Sequence, residues 1–280
     1  MKNDMTIAID LGGTKIRAGL VERGSVSHIL YRECKAGGSE NDVLGQLCGM
    51  IDELISPDVR AIGIGVPSVV DAEKGIVYDV VAIPSWKEVH LKEILEAKYG
   101  IPVSVDNDCN CFALGVARHG EAAPFSDSVC ITLGTGVGSG IIIGGKLYRG
   151  SNTGAGEIGG LPYLDKDYEY YCSSRYFEGL GTTGKDAAEA ASRGESGALA
   201  IMDAFGAHVG KLMCLVMFTY DPEAIVLGGS ISKAFPYFSE AMYREMRCFP
   251  YGRALERIQI LCSDTEYVGL FGAAAICDKD

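Results

Sequence analysis

The sequence predicts an α/β protein of two similar lobes with a cleft between them. Strand-like alternation and helical spacing take turns through the first half of the chain, and the order strand, glycine turn, strand begins again after residue 125. Size agrees, because 280 residues with 48% hydrophobic content can bury a large core and suit two lobes of ordinary size.

The first lobe is expected over residues 1–118. Residues 5–10, 15–22 and 26–32 read as short strands joined by "LGGT" and "ERGS", an antiparallel meander with glycines at its corners. In "NDVLGQLCGMIDELI" the residues Val43, Leu47, Met50, Ile51 and Leu54 recur at helical spacing, and the apolar strand "AIGIGVP" follows. "LKEILEAKYG" is an amphipathic helix ended by Gly100; "IPVSV" is the strand that leads into Asp106, Asn107 and Asp108. The second lobe, 119–265, repeats the layout in "DSVCITLGTGVGSGIIIGGKLYRG", with Leu133 and Gly134 matching Leu11 and Gly12. A long apolar helix in "GALAIMDAFGAHVGKLMCLVMFTYD" and the strand "EAIVL" come next, and a closing helix within 266–280 is expected to pack back on the first lobe.

A formal net charge of −12 repels nucleic acid and anionic membrane, and no run of Lys and Arg offsets it. The apolar runs, such as "LMCLVMF" at 212–218, are too short to span a bilayer, and the first strand starts too early for a signal peptide or a DNA-reading module. A cytoplasmic protein acting on small molecules is expected. The ten scattered cysteines suit reduced, buried thiols; Cys109 and Cys111 are only two apart, and the pattern lacks the paired short spacing of zinc ligands.

Three glycine turns invite an anionic ligand. At Gly12, Gly13 and Thr14 bare backbone can approach a phosphate, and Asp10 at the preceding strand end would tolerate that anion only with a cation between them, as in a Mg-nucleotide. "LGTGVGSG" runs on into a strand, so it is not a dinucleotide fingerprint, which needs a helix there. Gly228 and Gly229 follow the strand "AIVL", where a base or ribose could pack on bare backbone.

"AIDLGGTKIRAGL", "GIGVPSVVD", "PSWKEVHLKEILEAKYGIPVSVDNDCN", "LGTGVGSGI", "GAGEIGG" and "IVLGGSIS" together resemble, in order and spacing, the sugar kinases of the ROK group (repressor, open reading frame, kinase). The resemblance implies two actin-like ATPase (ribonuclease H-like) lobes and transfer of the ATP γ-phosphate to a hexose or N-acetylated amino-hexose. It makes Asp108 the general base and Asn107, Glu157, Glu178 and Ser68 the sugar-binding residues. Gly12, Gly13, Thr14 and Lys15 with Gly134, Thr135 and Gly136 are similar to the phosphate-binding turns, Gly228, Gly229 and Ser230 to the nucleoside loop, and Asp10 to the acid that holds Mg²⁺ directly or through water. From physical chemistry alone, a carboxylate at a helix N-terminus is expected to stay ionised, and Asp106, outside the motif, to cap the turn or helix.

Three departures fall on the sugar side. Ala82 stands where an asparagine is common, Ser68 replaces a glycine, and Gly160 replaces the histidine that in many members ligates a structural zinc, of whose cysteines only Cys172 remains. No zinc is therefore expected. The alternative is a sugar- or nucleotide-binding protein that has lost catalysis; a homodimer is left open.

Overall fold

The computed structural model describes residues 5–278, which divide into two compact units. The first takes the described residues up to 120, 149–155 and those from 265 on; the second takes 121–148 and 156–264. The sequence reading treated 119–265 as one continuous lobe, whereas the short segment 149–155 joins the first unit.

In the first unit β1 (Met5–Leu11), β2 (Lys15–Glu22) and β3 (Ser25–Glu33) form the antiparallel meander. Helix α1 (Glu40–Leu54) starts at a capping box in which Ser39 and Asp42 satisfy each other's backbone N–H groups, and it buries Val43, Leu47, Met50, Ile51 and Leu54, as the spacing requires. Strand β4 (Val59–Val66) is followed by a small antiparallel sheet of β5 (Val69–Asp71), β6 (Ile76–Tyr78) and β7 (Glu88–Val89). Helix α2 (Leu91–Tyr99) stops at Gly100 in the left-handed region, and β8 (Val103–Asn107) runs directly into α3 (Asp108–His119). The main sheet has the order β3-β2-β1-β4-β8, with β1, β4 and β8 parallel.

The second unit repeats this topology. Strands β9 (Ser128–Leu133), β10 (Val137–Ile143) and β11 (Lys146–Leu147) make the meander. A hairpin of β12 (Pro162–Tyr163) and β13 (Lys166–Asp167) leads to α4 (Tyr168–Cys172), α5 (Ser174–Gly179), α6 (Gly184–Ser192) and α7 (Ser196–Tyr220). Then come β14 (Ala224–Gly228), α8 (Phe235–Met246), α9 (Gly252–Arg257) and β15 (Gln259–Cys262), giving the sheet order β11-β10-β9-β14-β15 with β9, β14 and β15 parallel.

Helix α7 has the length expected, 25 residues, and by length and composition alone it could cross a membrane, although its uninterrupted apolar runs are short. Its apolar character is accounted for by packing: Met202, Phe205, Val209, Leu212, Met213 and Val216 are fully buried in the unit's core, and Gly206 and Gly210 admit the backbone of α8.

The chain then returns to the first unit as α10 (Val268–Ala275), packed on α3, β1 and β4. A Cβ on Gly272 would lie 1.6 Å from the Cys111 carbonyl oxygen, and one on Gly63 would lie 1.7 Å from that of Ala273. Helix and sheet meet there backbone against backbone. The reading along the sequence named neither the β5–β7 sheet nor α4, α5, α6, α8 and α9.

Candidate active site

Sheet register sets the acids of the first unit. Asp10 on β1 pairs with Gly65 on β4, and Gly65 pairs with Asp106 on β8, so the three positions form one row across parallel strands. Side chains in such a row share a face of the sheet. A Cβ on Gly65 would sit 3.5 Å from the Asp108 Cα and 3.2 Å from Cys111 Sγ, so the first turn of α3 fills the gap and Asp108 lies over the middle of the row.

Burial first and the charge of Asp10 second push the Asp108 carboxyl up to about 6, against the Cys109 N–H that donates to Oδ1 at 2.9 Å. The Asp10 carboxyl is also raised by burial, with Arg17 offsetting part of the effect. The helix dipole does not set the direction of the shift: loss of water and a neighbouring negative charge outweigh it, and Asp108 is still mostly ionised at neutral pH, as expected.

Asn107 is the N-cap of α3. Its Oδ1 accepts from Cys109 N at 2.8 Å and Asn110 N at 3.2 Å, and its Nδ2 donates to the Ser68 carbonyl at 3.1 Å. One amide hydrogen remains for a ligand. The Ser68 hydroxyl donates to the Tyr78 carbonyl, so Ser68 ties α3 and the β5–β6 hairpin together.

Asp106 is not the cap that its position suggested. Its side chain is 3% exposed; Oδ1 accepts from Asn107 N and Asn110 Nδ2, both at 2.8 Å, and Oδ2 accepts from Arg149 Nε at 2.6 Å. With Asn107 and parts of 70–73 and 149–153 these residues line a pocket of about 190 Å³ within the first unit. Asp106, Asn110 and Arg149 were all missed in the sequence. The available signal was an acid near the end of a largely apolar parallel strand, which must find a cation or donors if it is buried.

The turn at Gly12, Gly13, Thr14 and Lys15 joins β1 to β2 and is closed by Gly12 N donating to the Lys15 carbonyl at 2.9 Å. Thr14 and Lys15 are exposed, and Gly13 lies against Ala82. In the second unit Gly134, Thr135 and Gly136 form the corresponding β9–β10 turn, with Ser174 N donating to the Gly134 carbonyl at 2.8 Å. Gly229 has φ of +85°, and a Cβ there would be 2.3 Å from the Leu133 carbonyl oxygen, so the loop Gly228, Gly229, Ser230 lies against the root of that turn. Two of the three glycine turns are thus brought together within one unit.

Glu157 is exposed, its carboxyl raised by partial desolvation and by the charge of Glu169. Glu178, exposed on α5, accepts from Ser174 Oγ at 2.9 Å. A family-type zinc does not fit this part of the chain. Cys172 is fully buried, a side chain at Gly160 would enter open space, and among the described residues no three His, Cys, Asp or Glu gather as metal ligands. Aromatic packing takes that place: Tyr163 stacks on Tyr168 with centroids 4.3 Å apart, and its hydroxyl lies 3.1 Å from His208 Nδ1.

Comparison with known proteins covers the whole site. The ROK family model matches residues 6–280. Glucokinase from Streptomyces coelicolor is 34% identical over 173 residues, a match to 61% of this chain and 54% of the relative, so the chain spans about half the length of that protein. Glucokinase from Thermotoga maritima is 27% identical over 304 aligned positions that cover 96% of each chain. Among solved structures, a ROK family glucokinase from Streptomyces griseus in complex with glucose and AMPPNP superposes with a TM-score of 0.83 at 28% identity, covering 97% of this chain and 98% of that one.

Proposed function

The chain belongs to the ROK family, and from that premise we propose that it is a sugar kinase that transfers the γ-phosphoryl group of ATP to a hydroxyl of a hexose or hexose derivative. The observation that carries the reading is Asp108, a carboxylate at the start of α3, pushed up to about 6 and adjacent in sequence to a pocket-lining asparagine. A group with that affinity for protons can take one from a hydroxyl and release it to solvent near neutral pH.

In the proposed reaction the sugar oxygen bonds to the γ-phosphorus, the bond from that phosphorus to the bridging oxygen of ADP breaks, and the hydroxyl proton passes to Asp108. The Asp108 carboxylate, whose Oδ1 also accepts from the Cys109 N–H, would be the accepting group. Asn107 would offer its free amide hydrogen to the sugar, and Glu157 and Glu178 would accept from sugar hydroxyls. The two hairpin turns would present backbone N–H groups to the phosphates, and Gly228 to Ser230 would pack against the nucleoside.

The acids fit Mg²⁺. No cage of three protein ligands exists among the described residues, and Mg²⁺ is commonly held by one or two carboxylates with phosphate oxygens and water completing its shell. Asp10 would hold it, directly or through water. When bound, the ion neutralises phosphate charge and relieves the repulsion that raises Asp108.

A second reading, a binding protein without turnover, is favoured by Ala82 and Gly160, neither of which offers a side-chain hydrogen bond. The deciding experiment measures ADP formation with a panel of hexoses and N-acetylated amino-hexoses. Turnover on any of them supports the kinase, whereas ATP binding without ADP formation on the whole panel supports the second reading. The net charge of −12 favours a cytoplasmic small-molecule enzyme over a nucleic-acid binder.

A further inference from the structure

The pocket beside α3 contains a cation that the reading above does not use. Arg149 is fixed by one atom: its Nε donates to the buried Oδ2 of Asp106, and Asp106 is itself held by Asn107 N and Asn110 Nδ2. The Arg149 side chain is 40% exposed, it lines the pocket, and its two terminal nitrogens have no partner among the described residues. A guanidinium pinned through Nε keeps its NH1–NH2 edge in a fixed plane, a ready-made fork for an acceptor oxygen.

We infer that Arg149 is a specificity-determining residue that binds a neutral acyl oxygen on the sugar, with Asp106 as the residue that positions it. The inference rests on the kinase reading and names the substrate feature that its pocket selects. Three facts select a neutral acceptor over an anion. The positive charge of Arg149 is already matched by Asp106. Asp71 and Glu73 line the same pocket; Asp71 pairs with Lys74 at 3.3 Å, while Lys92 Nζ reaches the backbone carbonyl of Glu73 at 3.4 Å and, among the described residues, no cation pairs with the Glu73 carboxylate. A carboxylate or phosphate on the sugar would meet that excess negative charge. Val70 and Ala72, also in the lining, offer apolar contact to a methyl group. An acetamido substituent combines a carbonyl for the fork with a methyl for these side chains, whereas a plain hydroxyl uses neither fully.

The test compares wild type with Arg149→Lys, which keeps a cation beside Asp106 but loses the fork, and with Arg149→Met/Asp106→Asn, which removes both charges and so avoids a buried unpaired acid. Steady-state kinetics are run with a plain hexose, the matching N-acetylated amino-hexose and the matching uronic acid. The wild type should prefer the N-acetylated sugar and reject the uronic acid. Arg149→Lys should raise KM for the N-acetylated sugar roughly 10- to 100-fold, with kcat and the KM for ATP within about threefold, and should leave the plain hexose nearly unchanged; the double variant, which also alters the acceptor of Asn107 N and Asn110 Nδ2, should lose more on the N-acetylated sugar than on the plain hexose. Equal losses on plain and N-acetylated sugars, no loss on either, or a wild type that prefers the uronic acid would overturn the inference while leaving the kinase intact. Should the wild type turn over no sugar, calorimetric binding decides: Arg149-dependent affinity for the N-acetylated sugar supports the pocket assignment without the kinase, and its absence sinks both.

Discussion

The two units share a sheet topology and differ in how they hold their polar groups. In the first, Asp10 and Asp106 are placed by strand register, Asp108 is set over Gly65, and Asn107, Asn110 and Arg149 close a hydrogen-bonded network around the buried carboxylate of Asp106. In the second, Glu157, Glu178 and Thr135 are exposed, buried polar side chains are serines such as Ser139 and Ser232 bonded to backbone carbonyls, and glycine backbone packs closely from the α7–α8 contact to Gly229 on Leu133. On the proposed reading, one layout of strands supports two tasks. A buried acid network fixes a group whose proton affinity matters, and bare turns offer N–H groups whose affinity needs no tuning.

That contrast can be broken most directly at Asp108. Replacing it with asparagine should lower kcat by roughly 10² to 10⁴ and leave ATP affinity within about threefold, because the nucleotide turns are untouched. Near-normal turnover by a folded Asp108→Asn protein would move the chemistry elsewhere.

The complementary change falls on the second unit. At φ +85°, with the Leu133 carbonyl 2.3 Å from any Cβ, Gly229→Ala should distort the loop and raise KM for ATP roughly tenfold. The KM for sugar should stay within about twofold; equal shifts in both would show that the two tasks are not separable.

A gentler probe is pH. With Asp108 pushed up to about 6, kcat/KM should fall as pH drops through that value. Asp10→Asn removes a charge that raises Asp108, so among the residual activities the acid limb should move to lower pH; a limb that stays put would deny the coupling. Stability carries the opposite sign. The folded chain holds this proton more tightly than a free aspartate, whose pKa is 3.8, so the group's contribution to stability is fully present below pH 3.8 and is lost as pH rises through about 6. Ligand-free Asp108→Asn should accordingly be more stable than wild type at pH 8, by roughly 1–3 kcal/mol, in a denaturant titration.

The smallest expected effect is that of chelation. With Gly160 and Cys172 in place of a ligand set and Tyr163, Tyr168 and His208 packed together, a zinc chelator should leave Tm unchanged. About one zinc per chain by elemental analysis would contradict this.

Much of this arrangement was legible in the sequence because it follows from local pattern. Strand alternation and glycine corners marked both meanders, and "NDCN" with its neighbours pointed to Asp108. The rest depended on contacts between residues far apart in the chain. Arg149 meets Asp106 from 43 residues away, and nothing local distinguishes an arginine after a short strand from a solvated one. The upward shift of the Asp108 pKa was not legible because a helix terminus is visible in a sequence and desolvation by packing is not. Asn107 is a helix cap as well as a sugar-site candidate, two roles that one motif cannot separate.

The seat of α10 has a consequence for how the molecule is made. Gly63 and Gly115 are shaped to receive a helix that leaves the ribosome only after the second unit has been synthesised, since a Cβ on Gly115 would lie 2.1 Å from the Val268 carbonyl. Until then the first unit carries an open furrow along β4 and α3, with buried residues such as Ala8 and Cys111 bordering it. The N-terminal half, translated first, is thus the half that finishes folding last, and its nascent form must wait, incomplete, through the synthesis of its neighbour.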